Sequence, residues 1–260
     1  MEQGMAVAEL PLKIWITGAS TGIGAALAHK LLLEGNEVVV SARNLANLQP
    51  LLKEFPERCK AVVVDLSDKD ALLTAEKALH DHVGYLDVLI INAGTCEYID
   101  VKHFVSESFA TVMDINFTGA VHTLELALPF LRRSPNRAYI LGVSSMATLL
   151  PMPRSEAYGA SKAALEYLLD SLRVDLAAEG IDISVVRPGF VKTPLTDRND
   201  FAMPFIQTPQ EAADEIVYGM ARRKWIIQFP WQLVTIMTLC SWLPLSWQTA
   251  LLKKMSRNKV

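Results

Sequence analysis

Two side chains define the chemistry this sequence could do. Tyr158 and Lys162 stand four apart in Tyr158-Gly159-Ala160-Ser161-Lys162, so on a helix they share one face with Cβ atoms roughly 5–6 Å apart. A lone phenol titrates near 10, roughly, and is a poor acid or base at neutral pH. A neighbouring ammonium favours the phenolate, and a phenol moved toward neutrality donates and accepts protons efficiently. The same pair also occurs on ordinary helix surfaces. A second cluster, Thr17-Gly18-Ala19-Ser20-Thr21-Gly22-Ile23-Gly24, has the makings of a phosphate cradle. Gly18 permits a tight turn, Gly22 lets the backbone approach a pyrophosphate, and Gly24 lets a helix pack closely on a sheet. The helix that follows would present free N–H groups and the positive end of its dipole. A glycine-rich turn without a ligand is the alternative.

These residues need a frame. Consecutive apolar, β-branched positions at Ile14–Thr17, Val38–Ser41, Ala61–Val64, Val88–Ile91, Ala138–Val143 and Ile183–Val186 suit strands buried on both faces. Between them, 3.6-residue spacing predicts helices over Ile23–Leu33, Leu45–Phe55, Lys69–His82, Ser106–Leu131 and Glu156–Glu179, with Trp225–Phe229 as a seventh strand. Strand alternating with helix implies right-handed βαβ units and an α/β doubly wound parallel sheet, the Rossmann fold. No domain boundary or repeat interrupts the pattern, so the chain reads as a single domain with a C-terminal apolar extension from about residue 230 to 260.

Composition narrows the function classes. The 260 residues are 51% hydrophobic and 20% charged, a soluble globular balance with an apolar lean, and the net charge of -3 gives no case for nucleic-acid binding. Cys59, Cys96 and Cys240 form no C-x-x-C pair, so neither a metal knuckle nor a disulfide framework is indicated and a cytoplasmic setting is expected. The N-terminal MEQGMAVAELPLK has no basic region and no long apolar run; it reads as a short disordered lead rather than a signal peptide.

The glycine spacing is G-x-x-x-G-x-G, and TGASTGIG near residue 17 resembles the cofactor signature of the classical short-chain dehydrogenases/reductases. The resemblance runs from residue 12 to about 195 with every motif in family order. Asp65-Leu66 resembles the family pair at the adenine ring, and Asn92-Ala93-Gly94 resembles the motif that shapes the cofactor cleft. Pro188-Gly189-Phe190-Val191-Lys192-Thr193 resembles the family PG motif, with Thr193 at the nicotinamide carboxamide. Ser145 lies thirteen residues before Tyr158, the spacing of the family's catalytic serine, and would stabilise developing oxyanion charge; Ser144 is one position too far. Asn116 matches the asparagine that interrupts a central helix and binds a water linking the lysine to solvent. The resemblance thus implies a catalytic set of Asn116, Ser145, Tyr158 and Lys162 and a cofactor site spanning Gly18, Ser20, Thr21, Gly22, Ile23, Gly24, Arg43, Asp65, Leu66, Asn92, Ala93, Gly94, Tyr158, Lys162, Pro188, Gly189, Val191 and Thr193. It implies hydride transfer between nicotinamide C4 and a carbonyl carbon, with a proton path from solvent through Asn116, water, Lys162 and ribose to Tyr158.

An acid at the end of the second strand would hydrogen-bond the ribose 2′-OH of NAD. Ala42 stands there instead, and Arg43 follows with a fork suited to a 2′-phosphate. NADP(H) is therefore expected over NAD(H), although Arg43 could also be a solvated loop residue. Some NADP-preferring relatives carry a basic residue inside the glycine turn; here that position is Thr21, which leaves the preference to Arg43.

Pro194 through Thr208 would be the substrate lid. Its Phe201, Met203, Pro204, Phe205 and Ile206 suit a hydrophobic substrate wall, a partner surface, or packing on the core. From Trp225 to Leu252 there is no charged residue, and four of the five tryptophans, Trp225, Trp231, Trp242 and Trp247, fall there. Pro230 and Pro244 bracket only thirteen residues, short of the ~20 a spanning helix needs. The tail is then either an interfacial element at a membrane surface or over a lipophilic substrate, or a pair of helices packed on the chain's own core or across a dimer interface. An extension after the last strand would block one family interface, so a homodimer is expected over a tetramer. The leading functional reading is reduction of a hydrophobic ketone or aldehyde. A second is 3-oxoacyl reduction on a carrier protein, which would want a basic cleft mouth, with His103, Arg154 and Arg198 as candidates. A third is a non-catalytic NADP-binding sensor or scaffold, against which the intact catalytic set argues.

Overall fold

The computed structural model describes residues 11–253; the N-terminal lead and the basic Lys254, Arg257 and Lys259 lie outside the described residues. Seven strands, β1 (Lys13–Thr17), β2 (Glu37–Ala42), β3 (Cys59–Val63), β4 (Val88–Ile91), β5 (Tyr139–Val143), β6 (Asp182–Pro188) and β7 (Ile226–Phe229), form one sheet in the order β3-β2-β1-β4-β5-β6-β7. Every pairing is parallel. The strand order reverses between β1 and β4, and a doubly wound sheet opens its ligand crevice at the carboxyl ends of the strands at that point.

Both faces of the inner strands are covered, as their unbroken apolar runs require, while the edge strands β3 and β7 keep exposed positions. Successive strand residues point to opposite sides. Ile14, Ile16, Val38 and Val40 pack with α1 (Gly22–Leu33) and α7 (Pro209–Ala221), while Trp15, Val39, Leu89 and Ile140 pack with α3 (Leu72–His82), α5 (Gly119–Leu131) and α6 (Glu156–Asp175). The polar tips buried in the sheet are paired: Trp15 Nε1 donates to Ser41 Oγ at 2.7 Å, and the Tyr139 and Ser184 hydroxyls lie 2.5 Å apart.

The helix boundaries depart from expectation in physically readable ways. The segment expected over Leu45–Phe55 opens with a 3-10 turn at Leu45–Leu48, where Asn44 accepts from Ala46 N, and becomes α2 (Gln49–Glu54) only afterwards. The long helix expected over Ser106–Leu131 is three pieces: α4 (Ser106–Met113), a π-helical segment at Asp114–Thr118, and α5. Short π segments mark places where one residue is inserted into a helix to re-aim a side chain, and here that residue is the buried Asn116. The tail forms α8 (Trp231–Ser241) and α9 (Leu245–Lys253).

Candidate active site

A cleft of ≈ 340 Å³ opens at the switch point, over the ends of β1, β4, β5 and β6. Its lining takes Gly18, Ser20, Thr21, Gly22 and Ile23 from the turn into α1, Arg43 from the end of β2, and Asp65 and Leu66 after β3. Asn92, Ala93 and Gly94 contribute after β4, Ser145 after β5, Tyr158 and Lys162 from α6, and Pro188, Gly189, Val191 and Thr193 after β6. Ser144, the rival serine, also lines it, as do Thr95, Ile115 and Thr196, which carried no signal of their own in the sequence.

Two of the expected residues do not line the cleft. Gly24 is packing: a Cβ there would stand 2.4 Å from both Gly18 O and Asn92 Nδ2, so only glycine lets α1 sit this close to the strand ends. Asn116 lies behind the wall. Its Oδ1 accepts from Thr95 N at 2.7 Å, and its Nδ2 donates to Thr95 O and Ser161 Oγ, each at 2.9 Å. With every polar atom committed, the side chain fixes the loop after β4 against α6.

The glycine turn is locked from the opposite strand. Gly18 has φ +66, and an added Cβ would meet Ala93 Cα at 2.7 Å, so both its conformation and its neighbour exclude a side chain. Asn92 Nδ2 donates to Thr17 O and Gly18 O at 3.0 Å each, and Thr17 Oγ1 accepts from Asn92 N and Ala93 N. Asn92 is thus a latch between β1 and β4 more than a surface for a ligand. Asp65 accepts from Ser67 Oγ at 2.6 Å and Ser67 N at 3.0 Å; those bonds, helped by the Arg43 charge, hold its carboxyl below the usual range. The cap of the following turn is Asp68. Arg43 itself is exposed at the rim.

Tyr158 and Lys162 come together on one face of α6, with Lys162 Nζ 6.0 Å from the phenol ring centroid. Lys162 is buried and donates to Val143 O at 2.8 Å. Burial pushes its ammonium down from its ordinary value to about 8, opposed mainly by the charge of Glu166. Tyr158 moves the other way: burial pushes the phenol up to about 12, opposed by a side-chain hydrogen bond with Ser145. The expectation of a phenol drawn toward neutrality is therefore corrected for the chain by itself. The ammonium donates to a carbonyl, and with it 6.0 Å from the ring centroid desolvation remains the largest influence on the phenol in the chain by itself. Ser144 is the more buried of the serine pair, with its hydroxyl aimed at Lys162 O at 3.5 Å.

A support beneath this pair was not visible in the sequence. Glu166, one turn beyond Lys162, takes a two-pronged contact from Arg187 on β6, with Nε to Oε1 at 3.0 Å and Nη2 to Oε2 at 2.7 Å. Thr148 Oγ1 donates toward Glu166 Oε1 at 3.0 Å and Ser145 O at 2.9 Å. Glu166 therefore ties α6 and β6 to the turn carrying Ser145. Its partners lie 18 and 21 residues away, outside any local motif.

Three loops pack together beside the cleft. Gln207 N donates to Phe190 O at 2.9 Å and Lys192 N to Gln207 O at 2.8 Å, pinning the base of the expected lid. Its tip is held by a Tyr98–Asn199 hydrogen bond and an Arg154–Asp200 ion pair at 3.0 Å. Phe201 lies edge-on to Tyr98 and Phe190, with centroids 6.3 and 6.0 Å away. Arg154 and Phe205 hold positive φ values of 68° and 56°, conformations that non-glycine residues rarely adopt and that gather at functional clefts.

A doubly wound parallel sheet with a glycine-turn cleft at its switch point defines a dinucleotide-binding fold. The family model described as short chain dehydrogenase matches residues 13–202. An uncharacterized oxidoreductase of Myxococcus xanthus is 36% identical over 232 residues, covering 88% of this chain and 91% of that protein. The active-site complex of Pseudomonas aeruginosa RhlG with NADP superposes with TM-score 0.77 at 27% identity, covering 85% of this chain and 96% of that one. A short-chain dehydrogenase/reductase of Burkholderia phymatum in complex with NAD shares the fold, with TM-score 0.79 at 21% identity over 87% and 92% of the two chains. This chain belongs to the short-chain dehydrogenase/reductase family and is an oxidoreductase.

Proposed function

We propose that this protein is an NADP(H)-dependent reductase of hydrophobic ketones or aldehydes, with Tyr158 as the proton donor. The observation that carries the reading is the meeting of Tyr158, Ser145 and Lys162 in one cleft with the glycine turn. A nicotinamide dinucleotide fits the residues present. Gly18 and Gly22 hold positive φ where the backbone would face a pyrophosphate. The strand end at Ala42 offers no acid to a ribose, and the exposed Arg43 beside it supplies a cation for a 2′-phosphate. When bound, the nicotinamide supplies the hydride and, once oxidised, a positive ring charge beside the phenol.

The chain's own residues do the rest. A phenol pushed up to about 12 holds its proton at neutral pH, as the donor in a reduction must. The Ser145 hydroxyl, hydrogen-bonded with Tyr158, shares the carbonyl oxygen and steadies the charge that develops on it. Lys162, charged below about 8, stabilises the phenolate left behind and holds ribose hydroxyls. Asn116 keeps the loop after β4 and α6 in register, so that a proton can return from solvent along Lys162.

Substrate class follows from these loops. Tyr98, Phe190 and Phe201 form an aromatic cluster beside the cleft, with Tyr98 close enough to act on the Tyr158 phenol, and such a wall favours apolar carbonyl compounds. A carrier-bound acyl substrate would want free cations there; Arg154 is paired with Asp200 and stacked on Tyr98, and His103 is paired with Asp100, which leaves the exposed Arg198 as a single cation where a carrier surface would want several. The test is NADPH oxidation across ketones and aldehydes of increasing apolar size, repeated with NADH. Turnover that rises with apolar size and prefers NADPH supports the reading; turnover confined to small polar carbonyls, or faster with NADH, refutes it.

A further inference from the structure

We propose that α8 and α9 form a membrane-docking face that seats this protein on anionic lipid, an attribute independent of the reaction above. The 28 residues from Trp225 to Leu252 carry no charge in a chain that is 20% charged. α8 turns one side inward: Leu233 is buried, and a Cβ on Gly189 would meet Leu233 Cδ2 at 2.8 Å. The opposite side bears Trp231, Thr235, Leu239 and Trp242, at i, i+4, i+8 and i+11, a single stripe on a helix. Trp231 is 72% exposed, Leu239 55% and Trp242 76%. α9, tied to the end of α8 by Gln248 Nε2 donating to Ser241 O and Leu243 O, adds Leu245 and Trp247, 72% and 65% exposed. A surface helix of a soluble domain ordinarily turns polar residues outward, and contiguous exposed apolar surface marks an interaction site.

Charge and geometry select lipid over a second copy of the chain. Arg222 and Lys224 stand exposed before the segment and Lys253 at its end, and no acidic residue follows Glu215 in the sequence. Arg223 is committed to Asp182 at 2.7 Å and is not counted. A second copy would bring the same excess of basic over acidic residues that flanks this segment in the sequence, an unfavourable pairing, whereas anionic headgroups neutralise it. Tryptophan rings suit the headgroup level, apolar body inward and N–H to water. No helix among the described residues is long and apolar enough to cross a membrane, and α8 has 11 residues, so the pair would lie in the interface plane with its apolar side down. The Leu233–Gly189 contact places the docking helix directly behind the turn that lines the cleft.

The test is flotation of the full chain with vesicles of phosphatidylcholine alone and of phosphatidylcholine mixed with phosphatidylglycerol. The protein is expected to float with the mixed vesicles and to bind more weakly as salt is raised. Trp231→Ser/Trp242→Ser/Trp247→Ser should weaken partition by at least about tenfold with an unchanged melting curve. Lys224→Glu/Lys253→Glu should lose the preference for anionic vesicles. Should the triple variant not fold, brominated lipid on the wild-type protein replaces it: the exposed tryptophans are quenched while the buried Trp15 is not. Failure to float with either vesicle, or absence of quenching, overturns the proposal. A triple variant that floats normally but has half the wild-type mass overturns it in favour of an interface between copies.

Discussion

Burial acts in opposite directions on the two side chains that share a face of α6, raising the Tyr158 phenol to about 12 and lowering the Lys162 ammonium to about 8. At neutral pH both hold their protons, and the first charge lost as pH rises is that of Lys162. On the proposed mechanism the alkaline limb of activity lies where that ammonium deprotonates. Glu166 is the largest influence raising the Lys162 value, with the Cys96 thiol a smaller one. Removing a group that raises a pKa lowers it, so Glu166→Gln should move the alkaline limb of kcat/KM to lower pH while the amide keeps a hydrogen-bonding partner for Arg187. A purely structural role would lower activity at all pH values and leave the limb in place. Arg43→Ala should raise the KM for NADPH about tenfold or more, the value of a charge-assisted hydrogen bond, and leave that for NADH nearly unchanged; equal effects on both would show Arg43 to be a solvated rim residue. The Tyr158–Lys162 pair was legible because helix periodicity converts a spacing of four into a shared face. The Glu166–Arg187–Thr148 support was not, because its members meet only after α6 folds onto β6.

Elements were legible where burial dictates them. The inner strands and the βα alternation follow from runs of apolar, β-branched residues, because a parallel strand covered on both faces has no polar side to show; the edge strands β3 and β7 mix buried and exposed positions and carry Lys60 and Gln228 among the exposed ones. What escaped were local compromises, such as the 3-10 entry into α2 and the π segment at Asp114–Thr118. Asn116 pairs with Thr95 and Ser161, and those partners, not the intrinsic preferences of Asp114–Thr118, account for the inserted residue. The seating of α6 is similarly tertiary. A Cβ on Gly142 of β5 would stand 2.1 Å from Leu169 Cδ1 of α6, and Leu169 is wholly buried. Gly142→Ala must displace the Leu169 side chain or the part of α6 that carries it, beside the strand whose Val143 O holds Lys162. It should cost about 1–3 kcal/mol, lowering the melting temperature by roughly 2–4 °C for each kcal/mol, and should reduce kcat more than cofactor affinity. A variant with unchanged melting and unchanged kcat would show that this contact yields freely.

At the scale of the whole molecule, two exposed apolar regions compete for explanation. One is the tail face assigned to lipid. The other runs along α6, where Tyr167 and Val174 are 79% and 76% exposed. With α8 packed beside β7 at the end of the sheet, association through α6 alone gives a two-fold pair. The protein is expected to be a dimer, and a light-scattering mass near that of four chains would contradict this. The sequence showed that the tail was unusual but not which side of α8 faces inward, since Leu233 and Leu239 are chemically alike and only the contact with Gly189 tells them apart.

Everything proposed for the reaction depends on the hydroxyl of residue 158. The direct measurement is the NADPH-dependent reduction rate of the best ketone for wild type and for Tyr158→Phe, with NADPH binding followed in parallel by fluorescence. The expected result is a rate lower by about 10²–10⁴-fold with NADPH affinity retained. Equal rates in the two proteins would contradict the mechanism and leave the cleft as a nucleotide site alone.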